Sequence, residues 1–403
     1  MERRRIRALA LAFTALVAGT GAAAGPSPTP SPSSSPSASR PSASPTQSDG
    51  TLQILTYRGY AEYGGTSPQA NWAGTFEKET GCRVARLDTV QTPEEMSAEL
   101  AKRPYDVVSA DPALAAALIE AGRVQPIDTA KVEGYDDLGK RLRELTTVPG
   151  KKTGTETGTE TGTETGTETG TEAGTDTVYG VPFLWGYHEF LYDSRRVKGG
   201  DLATVLAADR VMLRDSPLTL ADAALVDTAI DKPFELTSTQ LADAVARLKG
   251  HQDRTYWTNP LEPVRGLATR SVDYVQATPY YRLLLQRAGI PVKAVSTRKA
   301  TGWADSWMLG AGVTDTECAY RWLSRMSQPA SQRDAAAWLG LAPAATKACK
   351  GRAKDVCTAY GATKAQKLDR VVFAVRPPGD CRPPEGECTD HAAWTERWHE
   401  LKR

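Results

Sequence analysis

Tyr179-Gly-Val-Pro-Phe-Leu-Trp185-Gly-Tyr-His-Glu-Phe-Leu-Tyr192-Asp193 is apolar or aromatic at most positions, without the alternation of a strand that has one wet face. It therefore predicts a strand buried on both sides. The Trp185-Gly186 pair inside it marks the place where the chain is expected to cross between two lobes.

Outward from this run, the apolar spacing changes period along the chain. Thr51 to Thr56, Arg83 to Leu87 and Tyr105 to Ser109 predict strands. Asn71 to Thr80, ended by Gly81, Pro93 to Lys102 and Pro112 to Ala121 predict helices between and after them. Strands alternating with helices argue a parallel sheet. Leu236 to Lys249 and Ala319 to Met326 predict further amphipathic helices. The chain has 403 residues, and without its leader and low-complexity stretches it leaves ~330, which suits two lobes better than one core.

The beginning has the grammar of a secretory signal, with basic Arg3-Arg4-Arg5, an apolar run from Ala8 to Val17 and the small residues Ala22 to Ala24. Export is expected, with cleavage after residue 24; the apolar run is short for a membrane tether. Removing residues 1–24 takes four arginines and one glutamate and turns a formal charge of +1 into −2, a balance that gives no footing for nucleic acid. The first cysteine is Cys82, so a lipid anchor at the cleavage site is not expected. Residues 25–50 are mostly Pro, Ser, Thr and Ala, the composition of an extended spacer. A Thr-Gly-Thr-Glu repeat fills Thr153 to Asp176; it cannot build a core and is read as an acidic loop expanded inside a turn. Six cysteines in an exported chain imply three disulfides, with 15 pairings open. No Cys-x-x-Cys occurs and His188, His251, His391 and His399 are scattered, so neither a metal nor another cofactor is expected.

Several segments, in order, resemble extracellular solute-binding proteins of the spermidine/putrescine type, in particular an actinobacterial branch. They are Phe76-Glu-Lys-Glu-Thr-Gly81, Tyr105-Asp-Val-Val-Ser109, the Tyr179 to Tyr192 run, Ala288-Gly-Ile-Pro291, Gly302-Trp303-Ala304-Asp305-Ser306 and Trp394-Thr-Glu-Arg-Trp398. The resemblance implies an α/β, two-lobed type II periplasmic-binding-protein fold, each lobe a mostly parallel sheet flanked by helices. On that fold residues 51–186 and 304–335 form the first lobe, carrying the repeat at 151–176, and 187–303 and 336–403 the second. It implies a monomeric, non-enzymatic receptor outside the membrane that captures a polyamine-like cation between hinge strands near Gly186 and Trp303 and delivers it to an ABC permease.

Ligand residues carry over position by position. Tyr57 and Tyr60 stand where the family has an aromatic pair after the first strand, and Trp303 with Asp305 matches its Trp-x-Asp, the ring for stacking and the carboxylate for an amine. Asp111, Trp185, Asp215 and Tyr280 complete the expected set. Asp111, Asp215 and Asp305 together carry more negative charge than one ammonium needs, which favours a diamine or longer. Departures fall in ligand-selecting positions: Asp111 where a small polar residue is usual, Ala113 for an aromatic, Thr219 for a Glu, and Thr278 and Tyr280 where a tryptophan stands. Cys349 with Cys357 and Cys381 with Cys388 are near enough in sequence for local loops. That leaves Cys82 for Cys318, whose helix the family places in the same lobe.

Other readings stay open at this point. Tyr280-Tyr281 suits a ferric-ion receptor of the same fold, phenolates being hard donors, and another small solute would fit the fold equally. A secreted hydrolase or a wall-associated structural protein belongs to a different class. Gly134 to Lys140 has phosphate-loop spacing but continues into Arg141 instead of Ser or Thr, and Ser296-Thr-Arg-Lys299 lacks companion motifs.

Overall fold

The computed structural model describes residues 50–403 apart from 66, 68–69, 151–174, 252, 314–315 and 378–387. The leader, the spacer, the repeat up to residue 174 and Cys381 lie outside the described residues. Among the described residues no helix is long and apolar enough to cross a membrane.

In chain order the strands are β1 (Thr51–Tyr57), β2 (Arg83–Val90), β3 (Val107–Ala110), β4 (Val124–Gln125), β5 (Thr147–Val148), β6 (Thr177–Val178), β7 (Val181–Tyr187), β8 (Glu189–Asp193), β9 (Val211–Arg214), β10 (Thr255–Trp257), β11 (Tyr274–Ala277), β12 (Val292–Ala294), β13 (Ala300–Gly310), β14 (Ala342–Pro343) and β15 (Val371–Phe373). The larger sheet has the order β14-β7-β13-β3-β1-β2, with β4 and β15 also on β13; the smaller is β10-β9-β11-β8-β12. Within each, strands joined by helices run parallel (β2, β1 and β3; β10, β9 and β11), while β7 and β8 run antiparallel to their neighbours and β13 is antiparallel to β3, β4 and β7 but parallel to β15. The difference from a plain parallel sheet has a simple cause. A strand that leaves one lobe for the other has no crossover helix to reverse its direction.

Two cores result. Phe76, Trp307 and Trp322 centre the larger lobe in edge-to-face contacts of 5.0 and 5.5 Å, and Leu213, Val205, Leu241, Trp394 and Trp398 are buried together in the smaller one. Residues 336–373, assigned from sequence to the second lobe, pack in the first: Ala336, Ala342, Val356, Tyr360, Val371 and Phe373 are buried in its core. Their short apolar segments match the edge left by β7 and β13, onto which β14 and β15 pair. The chain reaches the second core again at Val372 and Ala374, and its last helix, His391–Leu401, packs there.

The crossings also sit slightly away from the expected hinges. β7 belongs to the larger sheet and β8 to the smaller, so the first crossing is at His188 between them; the second is at residues 295–299, between β12 and β13. Gly186 and Trp303 lie just inside the larger sheet as directly opposed partners. A Cβ on Gly186 would stand 2.8 Å from the Trp303 ring, so the absent side chain is what lets the indole approach β7 this closely.

Cys82 is bonded to Cys318 and Cys349 to Cys357, two of the three expected pairings. The hairpin expected around the repeat is present too, since Thr147 pairs Val178 and Val148 pairs Thr177 in an antiparallel ladder. Deleting Thr153 to Asp176 should therefore leave a short hairpin loop. The entropic cost of closing a loop varies only logarithmically with its length, so stability should hold or rise by up to about 2 kcal/mol. Chemical denaturation of the deletion variant checks this; a loss of folding would make the repeat part of the lobe.

Candidate functional site

β1 and β3 are parallel neighbours, and the turns at their carboxyl ends bring two tyrosines to two aspartates. Tyr57 Oη donates to Asp111 Oδ2 at 2.7 Å, and Tyr60 Oη donates to Asp305. The two rings meet edge to face at 5.9 Å. Tyr60 is held from behind by Phe183, 5.4 Å away, and its carbonyl accepts the Trp72 indole N–H at 2.8 Å. The aromatic core thus fixes the pair rigidly.

The two carboxylates have different supports. Asp111 caps the helix Pro112–Glu120, its Oδ1 accepting from the amides of Ala113 and Leu114 at 3.0 and 3.2 Å. Capping and the Tyr57 hydroxyl occupy both its oxygens. Asp305 is in mid-strand and caps nothing. Its place is set by a register shift: Ala304 pairs Trp185 but Ser306 pairs Pro182, so β7 carries an extra residue opposite Asp305. Such a bulge re-aims a side chain. Asp305 is 4 % exposed, and burial pushes its carboxyl up to about 7, with Asp111 adding to the rise and the Tyr60 hydroxyl, Arg214 and Trp303 opposing it. Tyr57 and Tyr60 are likewise raised, by burial first and then by the neighbouring carboxylates, so both remain protonated donors.

Trp303 lies two residues before Asp305 on β13. His188, from the first crossing, stacks against it at 4.8 Å and 31°, and the guanidinium of Arg214 lies over its ring at 5.6 Å. Burial, then Arg214, holds His188 well below its usual range, so it is a neutral ring at pH 7. Behind Arg214 a polar chain joins the lobes. The Arg214 amide donates to Gln276 Oε1 at 2.8 Å, Gln276 Nε2 donates to Asp222 Oδ2 at 2.7 Å, and Thr301 Oγ1 donates to Asp222 Oδ1 at 2.7 Å. Burial pushes Asp222 up to about 7 against these bonds.

Of the eight residues expected from sequence, Tyr57, Tyr60, Asp111, Trp303 and Asp305 converge here, and three do not. Trp185 is a core residue, its indole donating to the Pro343 carbonyl at 3.1 Å and its ring against Tyr360 and Phe373. Tyr280 packs partly buried against the first core at Gly340, where a Cβ would stand 2.1 Å from its ring, whereas Tyr281 packs against the Leu285 cluster. The two phenols serve different cores. Asp215 accepts from the Trp398 indole at 2.8 Å and from Lys402 Nζ at 2.6 and 2.7 Å, anchoring the last helix. Asp215→Ala should lower stability by about 1.5–3 kcal/mol, the range for bonds to a charged group, and leave ligand affinity unchanged. Denaturation and titration of the same variant separate the two effects.

His188, Arg214, Asp222, Gln276 and Thr301 were not among the residues expected. Arg214 ends a strand of a parallel sheet, the end where ligands of such sheets sit; that signal was available, but Asp215 beside it was read instead. A separate groove of about 690 Å³, lined by Glu79, Lys131, Glu133, Arg321 and Arg325 among others, contains none of these residues. Its charges are largely paired with one another, as in Arg325 with Glu79 and Arg321 with Glu317.

Comparison with known proteins places this geometry. A spermidine/putrescine ABC transporter substrate-binding protein from Streptococcus pneumoniae is similar over 87% of this chain and 97% of its own, at 14% identity and a TM-score of 0.63. A GABA receptor is similar over 87% of this chain and 98% of its own, at 15% identity and a TM-score of 0.64. An A. tumefaciens B6 protein solved with glucopine covers 88% of this chain and 100% of its own, at 15% identity and a TM-score of 0.59. At these identities the likeness establishes the two-lobed fold alone. The family described as bacterial extracellular solute-binding protein matches residues 71–360, more than half of the chain, and spans both lobes and their crossings: this chain belongs to that family.

Proposed function

We propose that the chain captures a small organic molecule bearing an ammonium group, polyamine-like in that respect, at the junction of the lobes and delivers it to an ABC permease from outside the membrane, as an exported monomer. The observation that carries this is the pair of tyrosine-held aspartates facing an indole. Asp305 is a buried acid that makes no ion pair among the described residues, burial being what disfavours its charge, and Trp303 offers the face on which an ammonium or its methylenes would lie. The similar proteins solved with or named for polyamines, GABA and an opine support an amine. Binding alone is required of these residues, and no bond-making step.

Tyr60 and Asp305 are 5 % and 4 % exposed, so a ligand reaches them only when the lobes part about the crossings at His188 and 295–299. The expected result is a rise in melting temperature with amines, equivalent to about 2.7 kcal/mol at a hundred times Kd. The panel is putrescine, spermidine, ω-amino acids, an oligosaccharide and Fe(III). A shift with the sugar or Fe(III) and with no amine would reject the reading and leave the fold intact.

A further inference from the structure

Only part of the negative charge near the lobe junction is free to meet a ligand. Asp215 is taken by Lys402 and Trp398, Asp222 by Thr301 and Gln276, and Asp111 by its helix amides and Tyr57. Asp305 remains, held by the Tyr60 hydroxyl and the neighbouring Trp303 indole but by no ion pair among the described residues. On the same indole sits the opposite charge, Arg214, which is half-buried. Its backbone is fixed on both sides, the amide on Gln276 and the carbonyl accepting from Thr219 Oγ1 at 2.9 Å.

Among the described residues the Arg214 guanidinium makes no ion pair and donates no hydrogen bond. Arg282 is otherwise: it bonds Glu189 through two nitrogens at 2.8 and 3.3 Å. A guanidinium that is only half-buried and has no acceptor among the described residues is open to a ligand, and its planar fork matches a carboxylate through two parallel bonds. The charge of Arg214 also favours the ionised form of Asp305.

We propose that the ligand is a zwitterion, with its ammonium on Asp305, its methylenes against Trp303 and a carboxylate on Arg214. This rests on the ammonium reading above and narrows it. A diamine of the same length would put its second ammonium against the guanidinium, while an amino carboxylate satisfies both charges.

Calorimetric titration of the full chain with matched pairs tests it: 4-aminobutyrate against 1,4-diaminobutane, 5-aminopentanoate against 1,5-diaminopentane, and 6-aminohexanoate against 1,6-diaminohexane. In at least one pair the amino acid should bind about tenfold tighter or better, and Arg214→Gln should abolish that preference. Diamines binding as well as or better than every amino acid would overturn the zwitterion and leave the ammonium reading standing. Amino acids preferred equally by Arg214→Gln would also overturn it. If neither set binds, the ammonium reading fails and takes this one with it. Should Arg214→Gln not fold, the wild-type comparison across the three pairs still decides.

Discussion

Asp305→Asn should weaken ligand binding by roughly thirty-fold or more, since removing one partner of a buried charged pair costs ~2 to 5 kcal/mol and each 1.4 kcal/mol is about tenfold. The same change should stabilise the empty protein at pH 8. The folded-state pKa of Asp305 is raised to about 7 from 3.8, so the folded chain holds a proton that the unfolded chain releases between those values. Its favourable contribution is complete below about pH 4 and is lost as pH rises through 7. At 1.36 kcal/mol per unit, the buried charge destabilises the folded state by on the order of 2–4 kcal/mol at pH 8. Asn removes that cost and still accepts from Tyr60. Asp222 titrates in the same range but is present in both proteins, so their difference isolates Asp305. Affinity of the wild type should fall below pH 7, where a proton must leave before an ammonium can bind, and the variant should show a flatter profile. Denaturation at pH 5 and pH 8, with titration at both, checks each part. A variant with unchanged affinity and an unchanged pH profile would remove Asp305 from the site.

The second large effect is expected from the disulfide between Cys82 and Cys318, which closes a separation of 236 residues. It ties the start of β2 to the helix Thr316–Ser327, the helix that places Trp322 against Phe76 and Trp307. In the chain-entropy account a loop of that size corresponds to about 5 kcal/mol, against about 2.5 kcal/mol for the bond between Cys349 and Cys357, separated by 8 residues. Replacing both Cys82 and Cys318 with Ser should therefore lower stability about twice as much as the same change at Cys349 and Cys357. Guanidinium denaturation of the two double variants measures this. Equal losses would show that the long bond adds nothing beyond local packing. Because the aromatic chain from Trp307 through Phe183 to Tyr60 supports the site, affinity should also fall, though by less than stability.

Local chemistry was readable wherever one short stretch decides its own structure. The helix expected over Asn71 to Thr80 is present from Trp72, with Asn71 as its cap, and Gly81 does end it at a φ of 75°, because a side-chain acceptor and a residue without Cβ act within a turn of where they stand. The helix Pro93–Lys102 begins at its proline, as its missing N–H favours. Trp303 and Asp305 could be found from their spacing on one strand once the resemblance was in view. Asp111 was legible as a candidate, and the helix expected from Pro112 is present with Asp111 as its cap.

The sequence by itself determined most element types, the hairpin that carries the repeat and the pairing of Cys349 with Cys357, each depending on periodicity or on residues a few positions apart, while chain length and the resemblance gave the two-lobed class. Tertiary structure alone decided the charge balance of the site. Asp215 met Lys402, 187 residues away, Tyr60 met Asp305 across 245, and Arg214 came over Trp303. A carboxylate or guanidinium reads the same in a sequence whether it faces a ligand or a lysine. The difference is made by which strands are neighbours in the two sheets, and so by the packing of apolar faces far from the charges themselves.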